Sequence, residues 1–154
     1  MSVLYVKTYC ISVIVFCVDR LTKCFAYYLL STNDFSCGEH VSFSLTYNTG
    51  IAWSLLADAG SFVEALIVVI TFYLLYELFL YVKERAYEDK SIIGECLVIA
   101  GGLSNVCDRC LYPGVVDFIK ISLGDYTFPI FNIADVSVCV GIIIMLIAYW
   151  YHKK

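Results

Sequence analysis

Two aspartates, Asp117 and Asp135, stand where a polar stretch meets the last long apolar run of the chain. A carboxylate is costly to place beside a membrane-length segment, so its presence there suggests a function. Two carboxylates that lie close together can share one proton, because both cannot ionise cheaply. The ionised member then activates a water molecule while the protonated member polarises a carbonyl. The pair is therefore a candidate for metal-free hydrolysis of an amide bond.

Other hydrolytic arrangements have less support. The two histidines, His40 and His152, are expected on opposite sides of a membrane, which argues against a serine triad. A serine–lysine dyad would pair Lys23 with Ser54 or Ser104, and no specific spacing decides for or against it. Zinc sites are typically built from two Cys-x-x-Cys motifs or from a Cys/His cluster, and the sequence has neither pattern. We therefore expect no metal and no cofactor.

The composition indicates an integral membrane protein. The 154 residues are 61% hydrophobic and 16% charged, and the mean hydropathy is +0.82, far from a soluble average. The net charge of −4 comes without a basic tract, so nucleic acid is not an expected partner. Four of the eight cysteines stand in apolar runs and are expected to be small buried hydrophobes: Cys10, Cys17, Cys96 and Cys139.

Four apolar segments predict membrane-spanning helices, at about residues 8–30, 62–82, 92–111 and 131–151, in one domain covering 1–154. The run from Phe62 to Val82 is long enough to cross a hydrocarbon core about 30 Å thick. Residues 83–91 are expected to form a short charged loop. Gly101 and Gly102 predict a close helix–helix contact, as small residues do in membranes.

Two polar segments, residues 31–60 and 112–130, separate the spans. Residues 41–47 alternate apolar and polar side chains, which predicts a strand, and Asn48, Thr49 and Gly50 supply a turn. Residues 115–119 form a second possible short strand. The expected fold is thus an all-α membrane protein with four transmembrane helices and a small extracytoplasmic β-element.

The basic residues predict the orientation. Six of the ten basic residues flank the spans on one side: Lys7, Lys83, Arg85, Lys90, Lys153 and Lys154. The segment 31–60 has no Lys or Arg, and 112–130 has only Lys120. By the positive-inside rule, both termini are cytoplasmic and both polar segments face outward.

This orientation brings polar residues of the first, third and fourth spans, and of the two polar segments, to one layer. Asp135 lies about 28 Å along a helix from the cytoplasmic end, near the outer interface. Asn105, Asp108 and Arg109 share one helix face at the same depth, with a spacing of i, i+3 and i+4. Asn132 is either part of this set or an ordinary helix cap, with Asp135 a favourable charge in the first turn.

Five segments in this order resemble the lipoprotein signal peptidases (signal peptidase II), and the resemblance covers nearly the whole chain. They are Asp19-Arg-Leu-Thr-Lys23, Asn48-Thr-Gly-Ile-Ala-Trp-Ser54, Gly101-Gly-Leu-Ser-Asn-Val-Cys-Asp-Arg109, Val115-Val-Asp-Phe118 and Phe131-Asn-Ile-Ala-Asp135.

The resemblance implies an aspartic endopeptidase of the bacterial inner membrane with its active site at the outer face. Such an enzyme removes signal peptides from prolipoproteins, cutting just before a diacylglyceryl-modified cysteine, so lipidated precursors and membrane lipids are the expected partners. Asp117 and Asp135 match the catalytic dyad. The other matching positions divide into a polar shell (Asn105, Arg109, Asn132) and structural or substrate-facing residues (Asp19, Lys23, Asn48, Gly50, Asp108).

Two features depart from that pattern. Ser104 stands where the family usually has glycine, which bears on local helix packing. Cys107 and Cys110 form a Cys-x-x-Cys motif that the family does not require. They leave open an alternative, a membrane thiol–disulfide oxidoreductase, while a transporter or channel component would use the intramembrane charges. Trp53 is either an interfacial anchor or a lid residue.

Overall fold

The computed structural model describes residues 3–50, 60–88 and 90–152, and Ser54 and Trp53 lie outside that part. Its helices are α1 (Val3–Leu29), α2 (Ser61–Tyr87), α3 (Ile93–Leu111) and α4 (Ile133–His152). Strands β1 (Phe35–Cys37) and β2 (Val41–Asn48) lie between α1 and α2, and β3 (Val115–Leu123) and β4 (Tyr126–Thr127) lie between α3 and α4.

Helix α3 is the centre of the bundle, since it packs against each of the other three helices. Its glycines permit this closeness. A methyl group built on Gly101 would lie 2.5 Å from the carbonyl oxygen of Ala134, and one built on Gly94 would lie 2.7 Å from that of Gly141. Gly102 meets the Leu75 side chain of α2 in the same way. The predicted close helix contact at Gly101 and Gly102 is confirmed.

Two helices, α2 and α4, are long and apolar enough to cross a membrane. Most of their large apolar side chains are exposed, with Phe62 at 80% and Trp150 at 70%, a distribution that suits contact with lipid rather than water. The cysteines follow the same pattern. Cys96 is buried, but Cys10, Cys17 and Cys139 are exposed. Their predicted burial is wrong, because these three thiols lie on helix faces that no other described element covers.

The two polar segments meet in one antiparallel sheet with strand order β1-β2-β3-β4. Strand β2 pairs with β3, so that Thr46 lies opposite Asp117 and Asn48 opposite Val115, with an irregularity between Phe43 and Thr46. Both segments therefore lie at the same end of the bundle. Strand β2 agrees with the predicted strand at 41–47, whereas β3 continues to Leu123, beyond the predicted 115–119.

Three predicted helix boundaries differ from the structure. Helix α1 begins at Val3, five residues before the predicted residue 8. Residues 83–87 continue α2 instead of forming a loop, because Lys, Glu and Arg are good helix formers and a helix need not end where its apolar stretch does. Helix α4 begins at Ile133, two residues later than predicted. Phe131 instead pairs with Ile119 in an isolated bridge.

Candidate active site

Asp135 is fixed at the N-terminus of α4 by a reciprocal cap. The side-chain oxygen of Asn132 accepts the backbone N–H of Asp135 at 2.9 Å, and Oδ2 of Asp135 accepts the backbone N–H of Asn132 at 3.1 Å. This is the geometry of a capping box, with the cap residue and the third helical residue bonded to each other. The capping interpretation of Asn132 and Asp135 is therefore correct, and the cap sets the position of the carboxylate.

Asp117 lies on β3 beside this cap. Its Oδ1 accepts a hydrogen bond from Nδ2 of Asn132 at 2.6 Å, and its Oδ2 accepts one from Nδ2 of Asn48 at 3.1 Å. Asn132 thus contacts both aspartates and joins α4 to β3. Asn48 also accepts the backbone N–H of Gly50 at 3.0 Å, which ties the turn after β2 to the carboxylate.

Asn105 completes the amide groups around the pair. It donates to Oδ1 of Asp135 at 2.9 Å, and its own oxygen accepts from Lys23 Nζ at 2.7 Å and from Asn132 at 3.2 Å. Three asparagines from three different elements therefore surround the two carboxylates. Each carboxylate oxygen accepts one amide hydrogen bond, which restrains the geometry of the pair, as catalysis requires.

Burial of Asp117 favours its neutral form. The residue is 2% exposed; desolvation, and then the charge of Asp135, raise its pKa to about 7, against the hydrogen bonds from Asn48 and Asn132 that lower it. A carboxyl group with this pKa holds a proton near neutral pH, so one proton can be retained by a pair of acids.

Behind the pair lies a compact group of buried charges on α1 and α3. Lys23 Nζ contacts Asp19 Oδ2 at 2.8 Å and Asp108 Oδ2 at 2.7 Å, and all three side chains are at most 1% exposed. Arg20 forms a further ion pair with Asp108. Two acids and two bases leave no net charge in the group, which makes its burial tolerable.

Arg109 does not contact either aspartate. Its guanidinium donates to the carbonyl oxygens of Thr49, at 3.4 Å, and Gly50. Arg109 lines the same cavity as the two aspartates, and its assignment to the polar shell around them stays a prediction. The Arg109 side chain holds the turn that follows β2, and so supports Asn48 indirectly.

The aspartates open into a cavity of about 680 Å³ between α2, α3 and α4. Asp117, Asp135, Asn105, Asn48 and Arg109 line its polar end. The rest of its wall is largely apolar, with Ile67, Leu74 and Leu75 from α2 and Val136, Val138 and Val140 from α4. A few converging polar groups at one end of an apolar cavity are typical of a binding site.

The alternatives fare differently. Ser104 donates to Asp19 at 2.6 Å and is fully buried, so it does not present a nucleophile to this cavity with Lys23. Ser54 lies outside the described residues. Cys107 and Cys110 are free thiols near the end of α3. Among the described residues, no group of three or more His, Cys, Asp and Glu side chains could hold a metal ion.

The structure brings nearly all the sequence-predicted site residues into one connected layer. Only Arg109 and Gly50 reach it through the β2 turn instead of through a carboxylate. Two contributions were missed by the sequence analysis: the ion pair of Arg20 and the hydroxyl of Ser104. Arg20 directly follows Asp19, and Ser104 directly precedes Asn105, so adjacency to the candidate residues was the available signal.

Comparison with known proteins shows the family of this chain. The family model for signal peptidase (SPase) II matches residues 11–151. The chain belongs to the signal peptidase II family. It is therefore a peptidase, and the cavity with its polar end is its candidate active site.

Individual relatives give the same result. The lipoprotein signal peptidase of Psychromonas ingrahamii is 32% identical, over 94% of this chain and 84% of that protein. That of Staphylococcus aureus strain JH9 is 34% identical, over 90% and 84%. A solved bacterial membrane enzyme superposes with a TM-score of 0.73 at 27% identity, covering 96% of this chain and 90% of that one.

Proposed function

We propose that this signal peptidase II family member is an aspartic endopeptidase that removes signal peptides from diacylglyceryl-modified bacterial prolipoproteins, cutting just before the lipidated cysteine. The observation that carries the proposal is the shared contact of Asp117 and Asp135 with Asn132, at the polar end of an apolar cavity. The relatives are named for lipoprotein signal peptides, and a lipid-bearing substrate suits that cavity.

In the proposed reaction the dyad holds one proton, which we assign to Asp117 because burial raises its pKa to about 7. Ionised Asp135 removes a proton from water as the oxygen attacks the carbonyl carbon before the cysteine, and Asp117 donates to the carbonyl oxygen. The tetrahedral intermediate then collapses: Asp117 takes back a proton from one of its hydroxyl groups, the C–N bond breaks, and Asp135 gives its proton to the leaving amine of the cysteine. The elements of water are thereby added to the two new termini, hydroxyl at the carbonyl carbon and hydrogen at the amine.

Placement in the membrane follows from the same proposal. All four helices span the inner membrane, with both termini in the cytoplasm and the sheet at the outer face. A diacylglyceryl cysteine keeps its acyl chains in the outer leaflet, so its scissile bond reaches the level of the dyad without leaving the bilayer. The apolar wall formed by α2 and α4 would receive the signal peptide helix and the acyl chains.

The direct test is to substitute Asp117→Asn and Asp135→Asn separately. Each variant should insert in the membrane and bind lipidated precursor but leave it uncleaved, because neither can complete the shared-proton cycle. Processing is measured as conversion of precursor to mature lipoprotein on a gel. Asp125→Asn is the matched control, since Asp125 is an exposed turn residue beside the sheet, and it should process normally.

The same assay separates the thiol alternative. The double variant Cys107→Ser and Cys110→Ser should process precursor at the parent rate, because no thiol takes part in the proposed reaction. Normal processing by either aspartate variant would refute the dyad. Loss of processing in the cysteine variant, with the protein still inserted, would favour thiol chemistry.

A further inference from the structure

Each aspartate of the dyad directly follows a backbone N–H that is held by a second, buried aspartate. The N–H of Ala134, one residue before Asp135, donates to Asp19 Oδ1 at 2.7 Å. The N–H of Val116, one residue before Asp117, donates to Asp108 Oδ2 at 3.2 Å. Ala134 and Val116 are both fully buried, so no water competes for these two bonds.

The two anchoring carboxylates are connected to each other through one ammonium group. Lys23 Nζ lies 2.8 Å from Asp19 and 2.7 Å from Asp108. An unbroken series of contacts therefore runs from the backbone beside Asp135, through Asp19, Lys23 and Asp108, to the backbone beside Asp117. None of these three side chains lines the cavity, so they are not placed to touch a substrate.

We propose that Asp19, Lys23 and Asp108 form a positioning bridge that sets the separation of the two catalytic aspartates. The proposal rests on the proposed function, since it concerns the geometry of that dyad. The elements it joins, α4 and β3, belong to different parts of the fold. Asn132 joins them directly, and the bridge fixes the backbone on the far side of each carboxylate.

Ser104 is a fourth part of this bridge. Its hydroxyl donates to Asp19 Oδ2 at 2.6 Å, and the residue is fully buried. Asp19 thus accepts from Ser104, Lys23 and Ala134, and one of its oxygens is left free to hold the α4 backbone. A glycine at position 104 would lack this bond. The hydroxyl is therefore an additional restraint on Asp19 in this chain.

The first test compares Asp19→Ala with Asp19→Asn in the full-length enzyme, assayed on a synthetic peptide that carries a diacylglyceryl cysteine. Alanine removes the acceptor for the Ala134 N–H, whereas asparagine keeps one. Because small misplacements of reacting groups reduce turnover strongly, we expect kcat to fall about 100-fold in Asp19→Ala. Asparagine should restore about tenfold of that loss, and KM should change by less than about threefold in both.

The matched control is Glu95→Ala. Glu95 is also a buried carboxylate in an ion pair, with Arg85 at 3.1 Å, but it lies at the opposite end of α3. Its removal should lower the thermal stability while kcat stays within about twofold of the parent. A role of Asp19 in folding alone would give Asp19→Ala this same result, and that outcome would overturn the proposal.

Ser104→Ala keeps the test decisive if Asp19→Ala does not accumulate. Loss of one hydrogen bond to Asp19 should lower kcat about fivefold with KM unchanged, and an unchanged kcat would count against the bridge. Failure of the proposed function is separable, because it would appear as normal cleavage by Asp117→Asn. Inactive Asp117→Asn together with fully active Asp19→Ala would remove only the positioning proposal.

Discussion

At the scale of single residues, structure and proposed chemistry are served by the same side chains. Asn132 caps α4 through its side-chain oxygen and contacts Asp117 through its side-chain nitrogen. Capping stabilises a helix by about 1 kcal/mol, so Asn132 would be useful without any catalysis. Capping does not require the hydrogen bond from Asn132 to Asp117, and this bond links the helix terminus to the sheet.

The raised pKa of Asp117 makes the rate depend on pH. The dyad needs one proton, and Asp117 loses its proton as the pH rises through about 7. We therefore expect log(kcat/KM) to approach a slope of about −1 per pH unit above that value, where the pair is fully ionised. The measurement is a pH–rate profile from pH 5 to 9 on a lipopeptide without titratable side chains. A flat profile across pH 7 would contradict the assignment.

The same shift has a consequence for stability. Asp117 holds its proton more tightly in the folded protein than at its ordinary pKa of 3.8. The folded state therefore binds more protons than the unfolded state between about pH 4 and 7, and its stability falls as the pH rises through that window. Above pH 7 the folded protein carries the full cost of a buried carboxylate. This loss of folding stability is expected for a buried catalytic acid, whereas a purely structural position could be filled by a residue without a charge.

At the scale of elements, local sequence patterns predicted the helices and strand β2, whereas most contacts between distant segments were not predicted. Alternation predicted β2, and the apolar runs predicted the four helices to within a few residues. The pairing of β2 with β3 is set by contacts between segments about 70 residues apart, and no local pattern encodes it. Contact between Arg109 and the β2 turn depends on that pairing, so the sequence did not predict this contact.

The residues of the candidate site were easier to predict from the sequence than the hydrogen bonds that hold their backbone in place. Carboxylates and amides at membrane depth are conspicuous in an apolar sequence, so Asp117, Asp135 and Asn105 could be found from composition and spacing. The hydrogen bonds from backbone N–H groups to Asp19 and Asp108 could not be predicted in this way. Almost every residue has a backbone N–H, and the sequence does not show which one a carboxylate will reach.

The contact between α3 and α4 gives the prediction at this scale. Gly101→Ala should destabilise the protein by about 1–3 kcal/mol, because its methyl group would lie 2.5 Å from the backbone oxygen of Ala134. Gly102→Ala is the control: its methyl group would meet the flexible Leu75 side chain, and alanine favours the helix. Thermal unfolding in detergent measures both. Equal stability of the two variants would show that the backbone approach at Gly101 is not limiting.

At the scale of the whole molecule, the polar groups are concentrated at one end. The sheet, the dyad and the buried charges lie where α1 and α3 end and α2 and α4 begin. At the opposite end, α2 continues past its apolar stretch into charged residues and meets α3 through the pair of Arg85 and Glu95. The two ends of the helix bundle therefore differ chemically, and the proposed reaction requires the end with the sheet to face outward.

Thiol labelling can establish which end faces outward. In an otherwise cysteine-free chain, Cys37, which is exposed on β1, should react with a membrane-impermeant maleimide applied to cells whose inner membrane is intact. Glu88→Cys, at a position whose side chain is 51% exposed beyond the end of α2, should react only after the inner membrane is lysed. Cys37 lies beside the sheet that carries Asp117, so its labelling reports the side on which a precursor is cut. The reverse pattern would place the dyad at the cytoplasmic face, where a cysteine with acyl chains in the outer leaflet would not reach it.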